Sequence, residues 1–159
     1  MRNKIMCCGL VLLAACGGLR LERLEPGKVE QAAVRERWTP TAEWENADGS
    51  RTLEFAWYRG QQQTWMLDFD AQGVLRESRQ VLRPESVALV RTAMTRAEVR
   101  RILGPAASSS RIGADQPETW LYPLDSAGAA GEVVQTIFVE FHPRVDAVRR
   151  VSVEAVITN

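Results

Sequence analysis

Two kinds of hydrophobic spacing alternate along the chain, and the sequence runs through them twice. Within residues 28–38, Val29, Ala33, Val34 and Trp38 fall four or five apart and make one apolar stripe, which predicts a helix. Thr39-Pro40 stops it, because the residue before proline is pushed out of the helical region. Strand material follows at 41–45, then a turn at Asn46-Ala47-Asp48-Gly49-Ser50. Residues 51–58 alternate, with Leu53, Phe55 and Trp57 on one face. Residues 64–69 do the same with Trp65, Leu67 and Phe69, and 74–82 is a further strand. Turn residues separate these runs at 59–62 and 70–73, so they read as an antiparallel meander.

The second pass begins with a short helix at 84–90 and a better-marked one at 96–103. Thr95 is its N-cap and Glu98 stands three residues on, the spacing of a capping box. Val99, Ile102 and Leu103 form its stripe, and Gly104-Pro105 ends it. Residues 106–116, with three serines and Gly113, read as a loop or a mobile strand entry. Strands are expected at 119–124, 133–141 and 147–157, joined by turns at 125–132 and 142–146.

Setting Pro40 against Pro105 pairs Ala32 with Ala97, Val34 with Val99 and Trp38 with Leu103. Setting Phe69 against Phe141 pairs Trp65 with Ile137, Leu67 with Val139 and Asp68 with Glu140. Such self-similarity points to an internal duplication. The expected fold is α+β, in two tandem repeats over 28–83 and 84–159. Each repeat is expected to be a helix pair packed on a three-stranded antiparallel sheet.

The first residues have a different character. Arg2 and Lys4 precede an uncharged apolar run, residues 5–13, which ends in Leu13-Ala14-Ala15-Cys16. A positive start, a short apolar core and small residues before a cleavage point describe a secretory signal over 1–15. The run is too short to span a bilayer, which takes about 20 residues. Leu-Ala-Ala-Cys resembles the lipobox of bacterial lipoprotein precursors. That resemblance implies a thioether-linked diacylglycerol, and usually an N-acyl chain such as palmitate, on Cys16. Each buried CH₂ contributes about 0.8 kcal/mol, so two or three chains hold a protein at a membrane where one does not. By resemblance to the sorting of Gram-negative lipoproteins, Gly17 in place of an Asp implies the outer membrane and its periplasmic face. Residues 16–27 are then the lipidated cysteine and a tether.

Charge and cysteine content follow from this division. Cys7 and Cys8 leave with the signal, so the mature chain keeps Cys16 alone and has no disulfide to rely on. Arg2 and Lys4 leave too, so 20 basic residues become 18 against 20 acidic ones. This balance argues against nucleic acid as a partner and against a polybasic membrane contact.

Met94-Thr95-Arg96-Ala97-Glu98-Val99-Arg100-Arg101-Ile102-Leu103-Gly104-Pro105, then Trp120-Leu121-Tyr122, then Phe138-Val139-Glu140-Phe141, resembles the SmpA/OmlA (BamE-like) domain of outer-membrane lipoproteins. The resemblance covers about 85–155 well and 24–82 weakly. It departs from the family in two places. Ala93 stands where the family has glycine, and the family's Gly-x-Pro is shortened to Gly104-Pro105. The resemblance implies two helices on a three-stranded sheet and a role among envelope proteins, in outer-membrane assembly or integrity. Tandem copies of a similar fold occur in the β-lactamase inhibitor protein family, whose concave aromatic sheet grips a protein. By that fold-level analogy, the alternative is an inhibitor-like or sensor module gripping a soluble periplasmic protein.

The sequence carries no catalytic constellation. His142 is the sole histidine and stands beside Pro143 in a turn. Ser108-Ser109-Ser110 has no nucleophile-elbow context. Asp70 reads as a turn cap and Asp68 as its strand neighbour. No enzyme activity, cofactor, metal site or small-molecule substrate is expected. The partners expected are envelope proteins, and the lipid bilayer through acylated Cys16. Trp44, Trp57 and Trp65 are the candidate protein-binding residues, since tryptophan is enriched among interface anchors. Trp57 and Trp65 are candidates for the core as well, and Trp44, between Glu43 and Glu45, is the better candidate for an exposed aromatic.

Overall fold

The computed structural model describes residues 21–58, 62–113, 115–124 and 133–157, apart from the side chains of Glu22 and Tyr58. Among them the chain is mostly β, with two four-stranded antiparallel sheets and a few short helices. The first unit is a 3-10 turn at Leu21–Arg23, helix α1 (Gln31–Arg37), and strands β1 (Ala42–Glu45), β2 (Arg51–Tyr58), β3 (Gln62–Phe69) and β4 (Leu75–Gln80). The second is helix α2 (Pro84–Val87), helix α3 (Arg96–Leu103), and strands β5 (Ser108–Ser110), β6 (Glu118–Pro123), β7 (Val133–Phe141) and β8 (Val148–Ile157). Each sheet follows chain order, β1-β2-β3-β4 and β5-β6-β7-β8.

The expectation of a helix pair on three strands is corrected in two respects. Each sheet gains a fourth, short strand at its leading edge. β1 pairs Ala42 to Glu45 with Glu54 to Arg51, and β5 pairs its three serines with Leu121, Trp120 and Thr119. The serine run has no apolar alternation because both its faces are exposed, and its strand character comes wholly from the neighbouring backbone. Second, the first unit has one α-helix, preceded by a single 3-10 turn. Its α1 starts at Gln31 because Val29 and Glu30 are taken up by β4. Val29 O accepts from Leu75 N at 2.8 Å, and Glu30 bridges Val74.

Two sheet units of one design accord with a tandem repeat. Val34 of α1 and Val99 of α3 are both fully buried. The β3–β4 register shifts between Asp68 and Phe69, and the β7–β8 register shifts between Glu140 and Phe141, the residues that the sequence alignment pairs. A bulge at the same place in both sheets is a designed feature of the unit. In each unit the last strand is also clipped near its start by the segment before the helix. Leu75 N donates to Val29 O, and Val148 N donates to Met94 O at 2.7 Å.

The core of the first unit lies between its sheet and α1. It joins Leu53, Phe55, Trp65, Leu67, Phe69 and Leu75 to Val34, Leu21 and Leu24. Of the stretch read as a tether, residues from Leu21 onward are therefore packed on the domain. Ser78 Oγ donates to Leu21 O at 2.9 Å, and Gly27 N donates to Leu75 O. The second core joins Tyr122, Ile137, Val139, Phe141 and Val148 to Val99 and Leu103 of α3.

Ala93 carries the left-handed backbone, φ 69°, that an L side chain adopts at a cost of about 1–2 kcal/mol. Its N–H donates to Val148 O at 2.9 Å, so the conformation is held by the clip on β8. Glycine removes that strain and adds chain entropy to the unfolded state, worth about 0.5–1 kcal/mol. Ala93→Gly is expected to be neutral to about 1 kcal/mol stabilising by urea denaturation. A loss of stability would show that the alanine methyl makes a needed contact.

Candidate protein-binding surfaces

The alternation of β2 and β3 gives the first sheet two faces. Leu53, Phe55, Trp57, Trp65, Leu67 and Phe69 face α1. Glu54, Thr64, Met66 and Asp68 face the other way, with Trp44 of β1 beside Thr52. This second face is not open, although its composition is that of a solvent face. Glu54, Thr64 and Met66 are wholly buried. Helix α3 lies over them. Arg100 Nη1 and Nη2 donate to the two Glu54 carboxylate oxygens at 2.7 and 3.0 Å. Gln62 Nε2 donates to Pro105 O at 2.6 Å. Helix α3 thus serves two sheets at once: Val99 and Leu103 pack into the second core while Arg100 and Gly104 meet the first sheet.

Burial lifts the Glu54 carboxyl above its ordinary range, and the charge and hydrogen bonds of Arg100 pull it partly back. Nearby, burial pushes the Tyr122 hydroxyl well above the usual phenol range. The Tyr122 ring is fully buried, and its hydroxyl approaches Gly104 O at 3.4 Å.

At its N-terminus α3 is fixed from several sides. Thr95 Oγ1 accepts from Glu98 N, and Thr95 N donates to Glu98 Oε2, completing the expected capping box. These bonds hold the Glu98 carboxyl below its usual range. Arg96 donates to Glu118 and Asp146 and lies 4.4 Å from the centre of the Phe141 ring. The Trp120 indole N–H also donates to Glu118, the largest of the influences that keep that carboxyl ionised. These polar groups satisfy one another and hold the helix in place.

The three candidate tryptophans are not brought together. Trp65 is buried in the first core, and its indole N–H has no hydrogen-bond partner among the described residues. Trp57 is half-buried against the same core. Trp44 lies on the opposite face, half-buried, with the Arg101 guanidinium 6.0 Å from its ring, in the seam between the two units. Cys16 lies outside the described residues. His142 is exposed in the β7–β8 turn, and Asp70 accepts from Gln72 N and Val74 N as a turn cap. Among the described residues no cluster of His, Cys, Asp or Glu is placed to hold a metal ion.

Sequence reasoning did not single out the outer face of the second sheet, the counterpart of the face that α3 covers in the first. The register aligns Ser110, Thr119, Glu140 and Arg150 in one row and Ser108, Leu121, Phe138 and Ser152 in the next. No described helix lies on it, since α3 and Val87 of α2 both pack on the opposite face. Its middle rows are polar apart from Leu121 and Phe138, both half-buried, and toward the start of β7 the same face carries Val134 opposite Val156, with Val134 and Thr136 buried. The even-numbered positions of β7 were its signal in the sequence.

No protein-family model, no curated protein and no solved structure matches this chain.

Proposed function

We propose that the protein is an outer-membrane lipoprotein, anchored by acylated Cys16 and facing the periplasm, that binds other envelope proteins without catalysing a reaction. Its two sheet units are, on this reading, tandem BamE-like repeats, and its role is in outer-membrane assembly or integrity. The carrying observation is the distribution of the aromatics. Trp57 and Trp65 are turned to the first core and Trp44 to the seam, while the outer face of the second sheet carries Phe138 as its one aromatic among the described strand positions. A module that grips a soluble protein needs an uncovered aromatic sheet. A face of polar and aliphatic residues with a single aromatic suits a scaffold whose partners are held close by a shared membrane. The left-handed Ala93, where the family has glycine, and the capping box after it support the resemblance.

The packing of Leu21 sharpens what the anchor does. Leu21 stands five positions after Cys16, and a fully extended chain of five steps reaches at most about 18 Å. The body is therefore held against the membrane surface, and its partners belong to that layer. No helix among the described residues is long and apolar enough to cross a membrane.

Radiolabelled palmitate is expected to enter the wild-type chain and not Cys16→Ser, which should also leave the membrane fraction. Label that survives the substitution would sink the anchor. Envelope proteins should co-purify with the wild type from detergent-solubilised membranes. Recovery of the chain alone would overturn the binding role.

A further inference from the structure

Four strand edges bound the two sheets, and three of them are blunted. β1 has four residues and β5 three. The edge of β4 is occupied near its start, where Leu75 exchanges hydrogen bonds with Gly27 and Val29, and further along by Leu21 against Ser78. Short or covered edges are how sheets avoid unwanted pairing. β8 is different. It has ten residues where its counterpart β4 has six. The clip from Ala93 and Met94 holds only its first residue, Val148. From Arg149 to Ile157, no described segment hydrogen-bonds to its outer edge.

That open stretch carries neither proline nor lysine, and it exposes Val153, Val156 and Ile157, the last by 66%. Its charges are placed symmetrically. Arg150 and Glu154 stand on one face, two residues either side of Ser152. Neither is committed to a close ion pair. Arg150 reaches Glu140 at 3.6 Å, and Glu154 is held by the Ser152 hydroxyl at 3.2 Å.

We propose that two copies of the protein dimerise by antiparallel pairing of β8 with β8, on a two-fold axis at Ser152. This register sets each Arg150 opposite the second copy's Glu154, and each Val151 opposite the second copy's Val153. Directly opposed residues of an antiparallel pair share a face, so both matches are made twice. Centring on Arg150 or on Glu154 opposes like charges, and centring on Val151 or Val153 leaves the two unmatched. Opposite charges are among the cross-strand combinations that stabilise sheets, and β-branched residues pack well on a strand's face. The two four-stranded sheets become one of eight strands, and the exposed Val153 is covered by the second copy's Val151. The pairing needs nothing from the lipid anchor.

The test uses the full chain in detergent micelles and sedimentation over a range of concentrations. Wild type is expected to pass from monomer to dimer. Arg150→Glu and Glu154→Arg should each weaken the dimer roughly tenfold or more, because two attractive pairs become repulsive. The double variant R150E/E154R should regain it. An equimolar mixture of the two single variants should form a heterodimer, which also shows that both are folded. Ser152→Cys should give a disulfide-linked dimer, absent from wild type, because directly opposed strand residues lie within disulfide reach. A wild type that stays monomeric would overturn the proposal. So would single variants that dimerise as wild type does, or a double variant no tighter than the singles.

Discussion

Replacing Arg100 by methionine is expected to cost about 3–5 kcal/mol, read as a lower midpoint in urea. Glu54 is wholly buried on the face of β2 beneath α3, and Arg100 is its partner. Removing the arginine leaves a carboxylate in a dry seam with no counter-charge. The loss should depend on pH. Burial already lifts the Glu54 carboxyl above its ordinary value, against the pull of Arg100. The folded protein therefore binds that proton more readily than the unfolded chain does. Its contribution is fully present below the unfolded pKa and is lost as pH rises through the folded one. Without Arg100 the upward shift is unopposed, so R100M should be worst near neutrality and improve as pH falls toward the carboxylate range. Glu54→Gln in the same chain should abolish this pH dependence. Glu54→Leu with Arg100→Met should return stability near to wild type or above it, because a well-packed apolar pair avoids the desolvation of both charges. An R100M variant as stable as wild type at neutral pH would mean that water reaches Glu54, and that α3 does not seal the first sheet.

This seam is where the sequence is least informative. The alternation in β2 marks Glu54 as one of the residues pointing away from Leu53 and Phe55. An isolated acid on such a strand reads as a solvent face. Nothing local says that a helix residue 46 positions further on will cover it. The same gap governs the tryptophans. Periodicity groups Trp57 and Trp65 with Leu53 and Leu67, but only the placement of α1 decides which side of the sheet is inside. Helix α3, by contrast, was legible to the residue, Arg96 to Leu103. A capping box marks its start and Gly104-Pro105 its end, and both are local chemistry. The duplication was legible for a related reason. The alignment of Phe69 with Phe141 rests on strand cores, and those cores carry the two matching bulges. The serine strand β5 left only the alternative of a strand entry within a loop, because an exposed edge needs no apolar residue.

The end of α3 is also where a single methyl group should do the most harm. Gly104 has φ 77° and ψ −158°, a region that glycine alone enters without strain. A Cβ there would be driven against the Thr64 methyl, with Thr64 Cβ and Oγ1 both 3.3 Å away. Thr64 has little room to retreat. It is fully buried on β3, opposite Ala56 of β2, and its carbonyl accepts from Val81 N at 2.9 Å. Gly104→Ala therefore incurs two separable penalties, backbone strain of about 1–3 kcal/mol and overpacking of about 1–3 kcal/mol. The sum, about 2–6 kcal/mol, would remove much of the stability of a domain this size. Thr64→Ala in the same chain should recover only the second part. It deletes the obstructing methyl, along with a hydroxyl that has no hydrogen-bond partner among the described residues, and leaves the backbone angle as it was. Urea midpoints of the wild type, the two single variants Gly104→Ala and Thr64→Ala, and the double variant decide it. Full recovery by Thr64→Ala would show that the left-handed backbone carries no strain. No recovery would show that the two sheets do not approach each other through Gly104 and Thr64. Partial recovery is the result expected of a glycine that ends a helix and, in the same atom, lets two sheet units close on each other.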